Sequence, residues 1–495
     1  MTKMRSFMGL VSLPLLAAAA GCQGAGDAPG GRPEGATAAA AAALADEGAE
    51  LLARLNAIEG VEAVLNPPRV PGILEFALTI EQPTDHANPA GERFKQHVTI
   101  RHRSTGAPTV LGLSGYFGGN PARTFDTQLS LALGANHVFV EHRFFGQSAP
   151  ASLDWKHLTI EQAAADDHRL VEALKPIYEG AWLSEGGSKG GMEAIYHRRF
   201  YPDDVAGTVA FVAPQIYGND DPRFALFLEK VGTKDCRDRF VAAQREALAR
   251  RDEIVPHMQQ FAGDFGLPFD VLGFDLAFEH TIIESRFYLW QYRGGELCAT
   301  VPQPGAPGEE FFNYFLEVAG LGWYLSDEDM ASFAPFFYQA STELGYYGPS
   351  LGFRLHDLLE YPGTFYQSTY PPEVPEKLDP WAMPDIQFWL ATKGERIMLI
   401  YGELDPWTAG AFALGQAKDS YRFTNAGGPH STNLDDLSEA DRAKAAAVLE
   451  SWTGVKPQMP SAEGARALRA SGELADDREL RDPRRAHFER RTRRR

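Results

Sequence analysis

Apolar and polar positions alternate on two rhythms along this chain. From about residue 70, "GILEFALTIEQ" and "KQHVTIRHR" follow the two-residue rhythm of strands and predict a hairpin. "TVLGLSGYFGGN" reads as a buried strand opening into a glycine-rich loop, and "HVFVEHRFFGQS" holds another strand. In "TIEQAAADDHRLVEALKPIY" the residues Ala163, Leu170, Val171, Leu174 and Ile177 recur at helical spacing. "AWLSEGG" is then a short strand, "SKGGMEAIYHRRF" a helix and "AGTVAFVAP" a strand. Such alternation predicts an α/β fold: a parallel sheet with helices on both faces.

Near residue 216 the rhythm changes. Up to about 375 the runs are helical and rich in aromatics, as in "FVAAQREALARRDEIVPHMQQF" and "FFNYFLEVAGLGWYL". The strand rhythm resumes at "RIMLIYGELDPW" and "DSYRFTNAGG", and "DLSEADRAKAAAVLESW" closes with a helix. The expected plan is a core in two parts, 56–215 and 376–455, split by a mainly helical cap over 216–375. Residues 456–495 lose the apolar period and end "RDPRRAHFERRTRRR", which predicts a basic, solvated tail.

The first 55 residues belong to neither rhythm. Lys3 and Arg5 precede "FMGLVSLPLLAAAA", an apolar segment too short to span a bilayer, and then "AAAAGC". This order predicts an export signal over 1–22 with Cys22 as a lipidation site, although Ala19 stands where leucine is commoner. Residues 23–55 are rich in Gly, Ala and Pro and read as a tether, with helical potential toward its end. No later stretch is long and apolar enough to cross a membrane. The expected location is therefore outside the cytoplasm, either anchored to the envelope through lipid on Cys22 or secreted.

At 495 residues the chain is long enough for two or three lobes, and 44% apolar with 23% charged residues is globular composition. A net charge of −19 argues against a nucleic-acid partner. Of three cysteines, Cys236 and Cys298 are left as a pair that an exported chain is free to bond.

Within this frame, "GGSKGG" carries the chemistry. Gly186, Ser188 and Gly190 fit G-x-S-x-G between a strand and a helix, the context of a nucleophile elbow. The amide of Lys189 is then placed to donate to an oxyanion. A serine needs a base, and that base is most often a histidine held by a carboxylate. In this architecture the acid and then the histidine follow the serine in chain order. Asp405 in "LIYGELDPW" is the candidate acid, with Glu403 as the alternative, and His430 in "TNAGGPHSTNL" is the candidate base. "LSGYFGGN" offers a second oxyanion donor through the amide or hydroxyl of Tyr116.

The segment "GGSKGGMEAIYHRRFYPDDVAGTVAFVAP" resembles the nucleophile region of the bacterial secreted prolyl tri/tetrapeptidyl aminopeptidases. "VEHRFFGQS" and "YQASTELGYYG" are similar to segments of their relatives, lysosomal Pro-X carboxypeptidase and dipeptidyl peptidase II. The likeness spans roughly residues 70–455. It implies an α/β-hydrolase core with a helical cap, and a serine peptidase that cuts after proline. By position it makes Ser188 the nucleophile, Asp405 the orienting acid and His430 the base. It also implies acidic residues that receive the free amino terminus of a peptide substrate, for which Glu343 and Glu141 are the candidates. A proline ring needs a flat apolar slot, and the cap offers Phe311, Phe312, Trp323, Tyr324, Phe336, Phe337 and Tyr346. No metal or other cofactor is expected. The rival expectations are an esterase or acylhydrolase on the same scaffold, because a triad does not distinguish esters from amides, and an envelope binding protein without catalysis.

Overall fold

A computed structural model describes residues 34–122, 124–363, 377–460, 462–475, 484–485 and 488–489. The export segment, Cys22 and the first part of the tether lie outside the described residues. The described residues divide into two units, one up to Asp46 and one from Glu47 onward. The helix α1 (Glu34–Asn56) occupies the end of the expected tether.

Nine strands form one sheet: β1 (Val61–Leu65), β2 (Leu74–Pro83), β3 (Arg93–His102), β4 (Thr109–Leu113), β5 (Asn136–Val140), β6 (Trp182–Gly187), β7 (Gly207–Phe211), β8 (Ile397–Gly402) and β9 (Tyr421–Asn425). Their order is β1-β2-β3-β5-β4-β6-β7-β8-β9. The hairpin expected from residue 70 onward is β2 against β3, with Phe76 opposite Ile100. The first three strands and β5 pair antiparallel, while β5, β4, β6, β7, β8 and β9 run parallel. The interchange of β4 and β5, in a parallel sheet with helical crossovers, is the α/β-hydrolase arrangement. β1 is one strand beyond those read from the sequence. Its pattern "VEAVL" is only half buried, so its apolar signal is weak.

The helices follow as α2 (Gln128–Ala132), α3 (Ile160–Leu174), α4 (Lys189–Phe200), α5 (Pro222–Leu228), α6 (Lys234–Ala249), α7 (Arg251–Phe265), α8 (Phe274–Arg293), α9 (Gly308–Ala319), α10 (Asp327–Ser332), α11 (Ala334–Gln339), α12 (Ala382–Lys393), α13 (Glu439–Thr453) and α14 (Ala462–Ser471). Alternate residues of one strand face opposite layers. Val209 and Phe211 of β7 pack with Leu449 and Trp452 of α13. Ala210 between them packs with Met192 and Ile195 of α4 and Ile386 of α12.

Helices α5 to α11 lie between β7 and β8, which are paired neighbours despite that long insertion. These helices have an apolar core of their own, which includes Phe240, Phe278, Phe287 and Phe315. Cys236 at the start of α6 and Cys298 are disulfide-bonded, with Cα atoms 5.4 Å apart. Among the described residues no helix is long and apolar enough to cross a membrane.

The described residues after 455 make contacts that a solvated tail would not. α14 is followed by a bridge between Leu474 and Asp126, where the Asp126 N–H donates to the Glu473 carbonyl and the Asp126 carbonyl accepts the Ala475 N–H, both at 2.7 Å. Phe488 stacks on Trp323 with ring centroids 4.9 Å apart. Ala465, Leu474 and Ala475 are buried in this stretch.

Candidate active site

β6 ends at Gly187 and α4 begins at Lys189, so Ser188 is the whole turn between strand and helix. Its φ of 56° and ψ of −124° are a strained conformation for a residue with a side chain. The strain is held by the Ser188 N–H, which donates to the Phe211 carbonyl at 2.9 Å. Close approach explains the flanking glycines. A Cβ on Gly186 would stand 2.2 Å from the Gly190 carbonyl, and one on Gly190 would stand 2.1 Å from the Leu113 carbonyl oxygen. Both neighbours are backbone and have no rotamer to move.

β6 through β9 are parallel, so the loops that follow each of them open on one edge of the sheet. Ser188 follows β6, Asp405 follows β8 and His430 follows β9, which puts all three at that carboxyl edge. His430 Nδ1 and Asp405 Oδ2 are 2.6 Å apart, and both side chains are fully buried. Asp405 Oδ1 also accepts the Trp407 N–H at 3.1 Å and caps the short turn that follows. Glu403, left open as an alternative by the sequence, is exposed and accepts the Gly427 N–H at 2.8 Å instead. The inserted helices reach this edge: the His430 N–H donates to the Gln291 carbonyl at 2.8 Å, and the Tyr292 ring stands perpendicular to the imidazole at 6.2 Å.

Lys189 follows the serine, but its side chain turns inward. Its ammonium is 2.6 Å from Glu193, one helical turn on, and lies over the Tyr116 ring at 5.7 Å. Glu193 also meets His142 at 3.2 Å, and all three side chains are buried. Burial alone raises the Glu193 carboxyl pKa, yet Lys189 and His142 outweigh it and bring the value down to about 2. Burial pushes Lys189 down against the pull of Glu193. This buried trio beneath the elbow was missed in the sequence, although the i,i+4 spacing of Lys189 and Glu193 is a readable signal.

Tyr116 sits in the loop after β4. Its N–H donates to Ser114 Oγ at 3.1 Å, and its carbonyl accepts from Ser114 Oγ and from the His142 N–H. The backbone of Tyr116 is thus committed to the loop, which leaves its hydroxyl as the candidate oxyanion donor. Its ring meets Phe145, Phe333 and Phe336 at 5.6–5.9 Å. Phe336 in turn meets Tyr346, and Tyr346 meets Trp407 at 6.0 Å. An aromatic wall therefore joins the loop after β4, the inserted helices and the turn after Asp405. Of the aromatics named from sequence, Phe336 and Tyr346 belong to this wall. Phe311 and Phe312 are buried in the core of the inserted helices. Trp407 was not anticipated.

The two acids expected to meet a substrate amine have structural partners. Glu141 accepts the N–H groups of Gly118, Gln147 and Ser148 at 2.8–3.1 Å and the Ser148 hydroxyl at 2.8 Å. These four donors make it the anchor of two loops. Its neighbour Arg143 pairs with Asp166 of α3 through two bonds of 2.7 Å, not with Glu141. Glu343 accepts the Ile160 N–H at 2.9 Å at the start of α3. Burial, with Glu193 and Asp379 nearby, pushes the Glu343 carboxyl up to about 8. A separate cleft lined by Arg198, Asp204, Glu395 and Arg396 lies at the opposite end of the sheet, where β7 and β8 begin, and is remote from Ser188.

The chain is similar to several known proteins. The chain is 39% identical over 432 residues to the prolyl tri/tetrapeptidyl aminopeptidase of Streptomyces mobaraensis, covering 86% of this chain and 89% of that one. Human lysosomal Pro-X carboxypeptidase is 30% identical over 205 residues, which is 37% of this chain and 41% of that one. Among solved structures, the proline iminopeptidase of Mycobacterium smegmatis aligns with a TM-score of 0.34 at 15% identity, over 76% of this chain and 98% of that one. The fold assignment rests on strand order and not on that last likeness. The description of PS-10 peptidase S37 matches residues 46–487, a span that holds the elbow, the buried His–Asp pair and the inserted helices, and the chain therefore belongs to the peptidase S37 family.

Proposed function

We propose that this peptidase removes short peptides from a free amino terminus by cleaving after proline, through an acyl-enzyme on Ser188. One observation carries the assignment of residues: a buried imidazole held at 2.6 Å by a buried carboxylate, on the same sheet edge as a strained serine. The similarity to the Streptomyces aminopeptidase supports the proline preference.

In this reading Asp405 fixes His430 with its Nδ1–H bonded, which leaves Nε2 as the base. His430 takes the Ser188 proton as Oγ attacks the carbonyl carbon of proline. The resulting oxyanion is met by the Lys189 N–H at the start of α4. Collapse breaks the C–N bond, and the leaving amine takes the proton from His430. Water then attacks the ester, gives its proton to His430, and releases the peptide acid with Ser188 restored. The aromatic wall of Tyr116, Phe336, Tyr346 and Trp407 is the surface against which a proline ring packs. Export and lipidation of Cys22 complete the proposal, supported by the order of charged, apolar and small residues over 1–22.

The test is a chromogenic tripeptide ending in proline, with its amino terminus free or acetylated. Cleavage of the free peptide alone is expected. Equal cleavage of both overturns amine recognition, and turnover of short acyl esters without peptide cleavage decides for an esterase. Mass measurement of the mature amino terminus tests the Cys22 assignment.

A further inference from the structure

The end of the chain places a cation inside the fold. Arg484 is a donor to both oxygens of Asp329, with Nε to Oδ1 at 3.0 Å. Its guanidinium lies over the Tyr324 ring at 3.9 Å, with the Phe337 and Phe333 rings at 5.4 and 5.6 Å. Three aromatic faces and a carboxylate are the chemistry of a cation site. A second carboxylate stands behind it, since the Tyr324 hydroxyl donates to Glu284 at 2.5 Å.

Two chains of contacts tie this cage to the candidate catalytic groups. From His430 the path runs through Tyr292, Tyr288 and Tyr324, in ring-to-ring steps of 6.2, 5.7 and 5.4 Å. From the inward-turned Lys189 ammonium, on the residue that follows Ser188, it runs through the Tyr116 ring at 5.7 Å to Phe333 at 5.9 Å. Arg484 and Tyr292 also line one small cleft. A curved path of rings is an upper bound on the straight distance. An extended chain rises about 3.3–3.6 Å per residue, so the three or four residues upstream of a cut bond span roughly 10–14 Å, a length that falls inside this upper bound.

We propose that Asp329, with the rings of Tyr324, Phe333 and Phe337, is the subsite for the protonated amino terminus of the peptide, and that Arg484 is its internal occupant. The C-terminal segment then competes with substrate for this subsite. The inference rests on the aminopeptidase reading above and assigns to the amine a residue that the sequence did not suggest.

The test uses the full chain and the free and acetylated proline tripeptides. Arg484→Ala is expected to lower KM for the free peptide at least threefold and to leave KM for the acetylated peptide unchanged. Adding Asp329→Asn to Arg484→Ala, so that no guanidinium is buried without its partner, is expected to raise KM for the free peptide at least tenfold above that of Arg484→Ala. Arg484→Gln serves as the milder variant if Arg484→Ala does not fold. An unchanged KM for the free peptide with a lowered unfolding midpoint overturns the proposal, because Arg484 then only fastens the segment. Equal KM shifts for both peptides overturn it as well. Failure of the aminopeptidase reading looks different: the natural protein then cleaves neither peptide, or a fluorophosphonate leaves Ser188 unlabelled, and this inference falls with it.

Discussion

His430 and Asp405, 25 residues apart in sequence, are joined at 2.6 Å between Nδ1 and Oδ2 with neither side chain reachable by solvent. The bond sets the tautomer of the imidazole, so its loss has a definite cost. Asp405→Asn is expected to lower kcat on a proline tripeptide by about 10³–10⁴-fold, as a mis-set tautomer does in related triads. Glu403→Gln, which touches only the Gly427 amide, is expected to change kcat less than threefold. Steady-state kinetics on both variants checks this, and a larger loss in Glu403→Gln would reassign the acid.

Packing at the elbow makes a stability prediction. An alanine at position 190 puts a methyl 2.1 Å from the Leu113 carbonyl oxygen, a backbone atom that cannot turn aside. Gly190→Ala is expected to cost about 1–3 kcal/mol, the usual range for overpacking. It is also expected to slow fluorophosphonate labelling of Ser188. Urea unfolding and labelling rates measure the two effects, and normal labelling would show that the elbow tolerates the shift.

The buried trio of Lys189, Glu193 and His142 predicts strong coupling. Glu193→Gln leaves the Lys189 ammonium buried without its carboxylate, a loss of about 3–5 kcal/mol for a broken buried pair. Adding Lys189→Met removes the stranded charge and is expected to recover more than half of the loss. A double-mutant cycle from denaturant melts reads the coupling directly. Additive effects would mean that the pair does not interact in solution.

Glu343 predicts a pH dependence. Its carboxyl is raised to about 8 in the fold from 4.5. Between those values the folded state binds the extra proton, so this contribution to stability is complete below about 4.5 and is lost as the pH rises through 8. Glu343→Gln, which stays neutral, is expected to match the natural protein at pH 4.5 and to exceed it in unfolding midpoint at pH 9. Calorimetry at both pH values decides, and an equal difference at the two would remove Glu343 as the titrating group.

Much of the candidate site is visible in one dimension. The G-x-S-x-G turn between an apolar strand and a helix is a local pattern, and so are the strands that precede Asp405 and His430. The choice between Asp405 and Glu403 is not local, because both sit within one turn and both reach the loop after β9, Asp405 at the His430 imidazole and Glu403 at the Gly427 amide. Glu141 illustrates the same limit. A carboxylate after a strand looks available for a ligand until four donors from two loops are seen to converge on it. The end of the chain shows it again, since arginines in an aperiodic run read as solvated while Arg484 is held by Asp329, 155 residues away.

What the sequence determined by itself is the strands from β2 to β9, the split of the sheet by a helical insertion, and the candidate serine, histidine and short list of acids. Periodicity, glycine placement and chain order are written within a few residues of one another, so no folding is needed to read them. Only the tertiary structure decided the interchange of β4 and β5, which acid meets the imidazole, the buried trio beneath the elbow and the aromatic cage around Arg484. Each of these is a meeting of side chains from distant segments, and packing in three dimensions, not spacing along the chain, brings them together.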